Sequence, residues 1–160
     1  ILELMRILLD ECGYGWDDAW SIVSKACAYT NHTVMKEALE CWPEDLYKRL
    51  MPRLWQITKE IDNRFRSFVW EGTHNADMVE RMAVISNGVV RMANLCVAGS
   101  HCVNGVSALH SDILKDTVFS DFYALTPNKF TNVIVFDSLS RSSKIITQLL
   151  LIEFSGTLPN

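Results

Sequence analysis

A chain of 160 residues, 49% hydrophobic and 21% charged, is long enough for one domain-sized core and is not a disordered polyampholyte. A net charge of −4 with no lysine or arginine block excludes the basic surface that nucleic acid or an anionic membrane requires, so neither partner is expected. The longest apolar run, around residues 148–154, falls far short of the roughly 20 residues that span a bilayer.

Residues 2–12 carry Leu4, Met5, Leu8 and Leu9 on neighbouring turns and predict a helix that Gly13 stops. A second helix is expected over residues 16–27. Asp17 and Asp18 lie in its first turn and Lys25 in its last, as the helix dipole favours, with Trp16, Trp20, Val23 and Cys27 as its buried stripe. Pro43, Glu44 and Asp45 open a third helix. Pro52 restarts it, and Leu54, Ile57, Ile61, Phe65 and Phe68 then hold the helical period until Gly72. A short helix follows over residues 77–82. Val84 to Val90 predicts a hairpin, because Asn87-Gly88 supplies the positive φ angles of a type I′ turn. Residues 92–98 are expected to be helical. Val103, Val106, Leu109, Ile113 and Leu114 predict one more amphipathic helix, with His101 and Asn104 as supporting polar residues at its start. Residues 138–143 read as a loop and 144–154 as a terminal helix.

Cys12, Cys27, Cys41, Cys96 and Cys102 are odd in number and lack a framework spacing, which suits reduced thiols in the cytoplasm. Cys96, His101, Cys102 and His110 are metal-ligating types without convergent spacing, so no metal site is expected. Ile1 is not methionine, and no charged leader with an apolar core follows, so the expectation is a piece of a longer chain.

Residues 28–43 concentrate polar chemistry. Val34 to Cys41 is expected to be a short helix with Thr33 as its N-cap, which would place Glu37 and Glu40 on one face. Asn31 and His32 would stand at the helix start, where backbone donors favour an oxygen-rich ligand. Asn31-His32-Thr33 also fits the N-glycosylation acceptor pattern, which matters only in a secreted chain. By their chemistry alone these residues allow either a sugar or anion contact or a solvated helix face.

The run Cys27-Ala28-Tyr29-Thr30-Asn31-His32-Thr33, with Glu37-Ala38-Leu39-Glu40 and Trp42, resembles the central segment of the glycogen/maltodextrin phosphorylase family. Trp16-Asp17-Asp18-Ala19-Trp20, Leu50-Met51-Pro52-Arg53, Met92-Ala93-Asn94-Leu95-Cys96 and Val103-Asn104-Gly105-Val106 resemble it in the same order. The resemblance covers residues 1–133, and residues 134–160 diverge from it. It implies a mainly α segment with one β-hairpin, cut from the α/β two-domain (GT-B type) fold and lying in the N-terminal catalytic domain. It implies glucosyl transfer from an α-1,4-glucan to phosphate, giving glucose 1-phosphate, in a homodimeric enzyme containing pyridoxal phosphate. His32 would bond the glucosyl 6-hydroxyl, and Thr33, Glu37, Ala38 and Glu40 would line the pocket. No catalytic residue is assigned within the chain, and the cofactor lysine would lie beyond residue 160.

Several positions depart from the family pattern. Lys36 replaces a proline, Val135 replaces a sugar-binding asparagine, and Lys59 replaces an aromatic on a helix that carries a glycogen-storage site in some members, beside Gln56 and Asn63. The chain alone is expected to be inactive. A non-catalytic helical interaction module is the alternative that composition equally permits.

Overall fold

The computed structural model describes residues 1–132. The expectations for Val135, for the loop at 138–143, for the helix at 144–154 and for the divergent segment fall outside the described residues.

Helices dominate. α1 (Leu2–Arg6) runs into a wider π-helical turn (Ile7–Glu11), and Gly13, at φ 71°, reverses the chain. α2 (Trp16–Ala26) buries Ala19 and Val23 completely, whereas Trp16 and Trp20 are half-buried at its edge. Strand β1 (Ala28–Thr30) follows, and strand β2 (Cys41–Pro43) leads directly into α3 (Glu44–Leu50). Met51 breaks the path, and Pro52 occupies the first turn of the 22-residue α4 (Pro52–Thr73), where a missing N–H costs nothing. Gly72 does not end this helix. His74, in the left-handed region at φ 51°, caps it by donating its backbone N–H to Trp70 O at 2.8 Å. Gly72 is instead a point of close approach, since a Cβ there would lie 2.8 Å from Leu125 Cδ1.

Asn75 caps α5 (Ala76–Met82) by accepting the Met78 N–H at 3.1 Å. The expected hairpin forms from β3 (Ile85–Ser86) and β4 (Val89–Arg91), with Asn87 and Gly88 at φ 52° and 72°. β2 adds to β4 antiparallel, which makes a three-stranded sheet in the order β2-β4-β3. After α6 (Met92–Gly99) comes β5 (Cys102–Asn104), which pairs in parallel with β1. α7 (Ala108–Asp116) and α8 (Ser120–Leu125) close the described chain. The amphipathic stripe expected from Val103 to Leu114 is therefore split. Val103 is a buried strand residue and Leu114 a buried helix residue, while Val106 and Leu109 face outward.

Among the described residues two apolar clusters form the core, and α4 joins them. Ile57 and Ile61 pack with Met5, Val23, Tyr47 and Val90, and about two turns further along α4 Val69 packs with Met82, Val97 and Phe119. A polar network bolts α4 to the hairpin. Asp62, only 5% exposed, accepts the Val84 N–H at 2.7 Å, the Ile85 N–H at 3.2 Å and Arg66 Nε at 2.8 Å. Arg66 also donates to Ile85 O and to Glu80, whose carboxylate accepts the Ser86 hydroxyl. Because β4 carries β2, this network fixes the strand on which the polar 31–40 segment ends.

Candidate functional site

The parallel pair β1–β5 sets the geometry. In a parallel sheet, loops leaving the carboxyl ends of adjacent strands emerge side by side, and that edge is where open α/β sheets hold ligands. Here the loops are residues 31–40 after β1 and residues 105–107 after β5. The pair is sealed at this edge by the Asn31 N–H, which donates to Asn104 O at 2.8 Å, and by Thr30 Oγ1, 3.2 Å from Asn104 Oδ1.

Asn31 shapes the first loop. It is 2% exposed, its Oδ1 accepts the Thr33 N–H at 2.8 Å, and its Nδ2 donates to Tyr29 Oη at 3.1 Å. This Asx-type bend turns His32 outward into solvent. It also removes Asn31 as a glycosylation acceptor, because the amide that would be modified is buried and bonded. The Tyr29 phenol is raised above its ordinary range by burial, partly offset by the bond from Asn31. Thr33 Oγ1 accepts the Met35 N–H at 3.1 Å, so it does capture a backbone donor, but no α-helix follows.

The expected helix over residues 34–41 is replaced by one 3-10 turn, Lys36–Ala38. Glu37 and Ala38 lie on that turn and are exposed, while Glu40 stands beyond it at the entry to β2. Glu37 and Glu40 therefore do not share a helix face. The loop is pinned at its far end as well: the Met92 N–H donates to Glu40 O at 3.0 Å, and Trp42 Nε1 donates to Glu40 Oε1 at 2.5 Å. The structure thus brings His32 and Thr33 to the strand edge and places Glu37, Ala38 and Glu40 along the outward rim of the same loop.

Glu40 and Lys36 border a cavity of about 290 Å³ that also takes in Arg81, Arg91, Asp121 and Asn94. Arg81 and Asp121 form a two-pronged pair at 2.7 and 3.0 Å, and the guanidinium holds the Asp121 carboxyl below its usual range. Asn94 is built in, its Nδ2 donating to the carbonyls of Arg81, Met82 and Ala83. A separate apolar cavity of about 350 Å³, bounded by Trp16, Trp20, Phe65, Phe122 and Lys129, includes none of the candidate residues. Among the described residues, no three histidines, cysteines or carboxylates cluster as a metal would require.

The sequence reading missed Asn31 as an anchor, and it placed Asn104 at a helix start instead of at a strand end. The signal for Asn31 was available: Asn followed two residues later by Thr is an Asx-turn pattern as much as a cap. His101 is exposed and has no part in the edge, and Gln56, Lys59 and Asn63 are exposed on α4, with Gln56 accepting from Arg53 at 2.9 Å.

This strand edge, flanked by hydroxyl, amide and imidazole groups, is a candidate site for a polar ligand in a mainly helical chain with small sheets. The family model for carbohydrate phosphorylase matches residues 1–135, and the chain belongs to that family. It is 50% identical over 137 residues to the α-glucan phosphorylase H isozyme of Triticum aestivum, and 52% identical over 136 residues to the muscle glycogen phosphorylase of Mus musculus. Each of those matches covers 82% of this chain and 16% of the relative. The glycogen phosphorylase of Bacillus subtilis (strain 168) is 50% identical over 132 residues, covering 81% of this chain and 16% of that protein. The chain therefore spans about one sixth of the length of these relatives. A relative from Arabidopsis thaliana carries the name cytosolic α-glucan phosphorylase 2. No helix among the described residues is long and apolar enough to cross a membrane.

Proposed function

We propose that this chain is the glucosyl-holding part of an α-glucan phosphorylase, which moves a glucosyl unit from the end of a glycogen or maltodextrin chain to inorganic phosphate. The C1–O4 glycosidic bond breaks, a C1–O bond to phosphate forms, and the released 4-hydroxyl takes up the proton that phosphate gives up. The observation that supports this reading most is the position of His32: it lies two residues past the carboxyl end of a parallel strand, is exposed to solvent, and is held by a buried asparagine bend.

In this reading His32 meets the glucosyl 6-hydroxyl, since an imidazole can donate to a hydroxyl or accept from it. Thr33, Glu37, Ala38 and Glu40 form the rim, and their polar groups order water and sugar hydroxyls without attacking carbon. A site matched to hydroxyls discriminates strongly, because a sugar lacking one leaves a site group unpaired.

Pyridoxal phosphate belongs to the proposal for the whole enzyme, but the described residues do not fit it. The half-buried Lys129 ammonium donates to Val97 O and Ala98 O at 3.1 Å each and so closes the end of α6, with burial pushing it below the usual lysine range. The cofactor's seat is accordingly proposed to lie outside the described residues. The two-domain GT-B architecture, a homodimer, a cytoplasmic setting and a phosphorylase segment ending near residue 133 are part of the same proposal.

The test is phosphorolysis by the full-length protein that carries this chain: glucose 1-phosphate released from maltoheptaose and phosphate. Release is expected, and its absence from folded, cofactor-supplemented protein would overturn the reading.

A further inference from the structure

The second loop at the strand edge, residues 105–107, is held from beneath by the first turn of α7. Asn104 Nδ2 donates to Gly105 O at 2.7 Å, and the Gly105 N–H donates to Ser111 Oγ at 2.9 Å. The Ser111 hydroxyl in turn donates to Ser107 O at 2.9 Å. Ser107 Oγ caps α7 by accepting the His110 N–H at 3.1 Å. The Val106 N–H donates to His110 Nδ1 at 3.1 Å.

That last bond fixes the imidazole. Nδ1 is the acceptor, so the ring proton sits on Nε2. The residue is 8% exposed, and Nε2 is buried without a partner among the described residues. The only side-chain hydrogen bond His110 makes there is the one to Val106. Its polar chemistry, as distinct from its bulk, is therefore spent on one backbone N–H of this loop. Packing requires the same closeness: a Cβ on Gly105 would lie 2.9 Å from His110 Cγ and 2.8 Å from Ser111 N, so only glycine lets the loop rest on the ring. The outward side of the loop is open, Val106 being 58% exposed.

We propose that His110 is a positioning residue: by holding the Val106 N–H through Nδ1 it fixes the loop beside His32, and so sets the affinity of the glucosyl pocket without touching the sugar. This deepens, and rests on, the phosphorylase reading. Asn104 links the two loops physically, since its carbonyl holds Asn31 while its amide holds Gly105.

The test uses two near-isosteric variants in the full-length protein. His110→Asn places an amide oxygen near the Nδ1 position; His110→Gln places its amide near Nε2 and leaves Val106 without an acceptor. Two readouts are taken: hydrogen exchange of the Val106 amide, and KM for maltoheptaose, which does not depend on the fraction of active enzyme. The Gln variant is expected to lose about tenfold in exchange protection and to raise KM about fivefold, the range of one net hydrogen bond, whereas the Asn variant stays within about twofold of wild type in both. Equal behaviour of the two variants overturns the proposal, as does loss of protection in Gln with an unchanged KM. Absence of phosphorolysis by the wild type is a different result. It overturns the glucan reading itself, and the exchange contrast between Asn and Gln still decides whether the clamp exists.

Discussion

Replacing Asn31 by alanine should loosen the candidate site without disturbing the core. The change removes two side-chain bonds, from the Thr33 N–H at 2.8 Å and to Tyr29 Oη at 3.1 Å, and leaves the backbone bond to Asn104 in place. Each lost bond is worth about 1 kcal/mol net, and a donor left without water costs about 1 kcal/mol more. Tyr29 is only half-buried, so its hydroxyl recovers part of its loss from solvent, whereas the side chain at position 31 is 2% exposed and water reaches the vacated space poorly. The sum is about 2–3 kcal/mol, and it falls on a loop with few other anchors between Asn31 and Glu40. If that loop must be ordered to receive the glucosyl unit, kcat/KM for maltoheptaose in the full-length protein should fall by about 30- to 150-fold. Asn31→Asp is the control, because its carboxylate still accepts from both Thr33 N–H and Tyr29 O–H, and it should lose less. A kcat/KM within about twofold of wild type for the alanine variant would refute the argument that this bend positions His32.

Asp62→Ala strips the Val84 and Ile85 N–H groups of their acceptor and costs about 3 kcal/mol, moderated because Arg66 keeps Glu80 and Ile85 O; amide exchange of the hairpin should accelerate most. The Arg81–Asp121 pair should give a small acid-side effect. The folded carboxyl is lowered by Arg81, so its contribution is present above the unfolded carboxylate value and disappears as pH falls through the folded one. Arg81 is largely exposed, so the contribution is small, and the difference between wild type and Arg81→Gln in urea titrations should shrink as pH falls below the ordinary carboxylate range.

Much of the helical framework is legible in the sequence, because its signals are local. Pro52 at a first turn, the acidic start of α2 and the Asn87-Gly88 turn each act within a few residues. The site loop is not legible in the same way. Lys36, Glu37, Ala38, Leu39 and Glu40 are good helix formers, yet the segment is tied at one end to Asn104 and at the other to β4 and Met92. Those tethers join positions 46 to 73 residues apart, and together they override local propensity. The same reason hid β1 and β5, three-residue strands whose partners lie 74 positions apart, and led Val103 to be counted with a helix. The candidate residues themselves were identifiable by resemblance and Asn31 by its Asx-turn pattern, whereas Asn104 and the His110 imidazole become visible only from burial and bonding.

The most direct test of the central claim compares glucose 1-phosphate with 6-deoxyglucose 1-phosphate as donors for chain extension by the full-length protein, with and without His32→Ala. A 6-hydroxyl held by His32 predicts about a tenfold loss in kcat/KM for the deoxy donor in wild type, and little further loss in the variant. Equal penalties in both proteins would contradict it, for they would mean that the hydroxyl is recognised elsewhere.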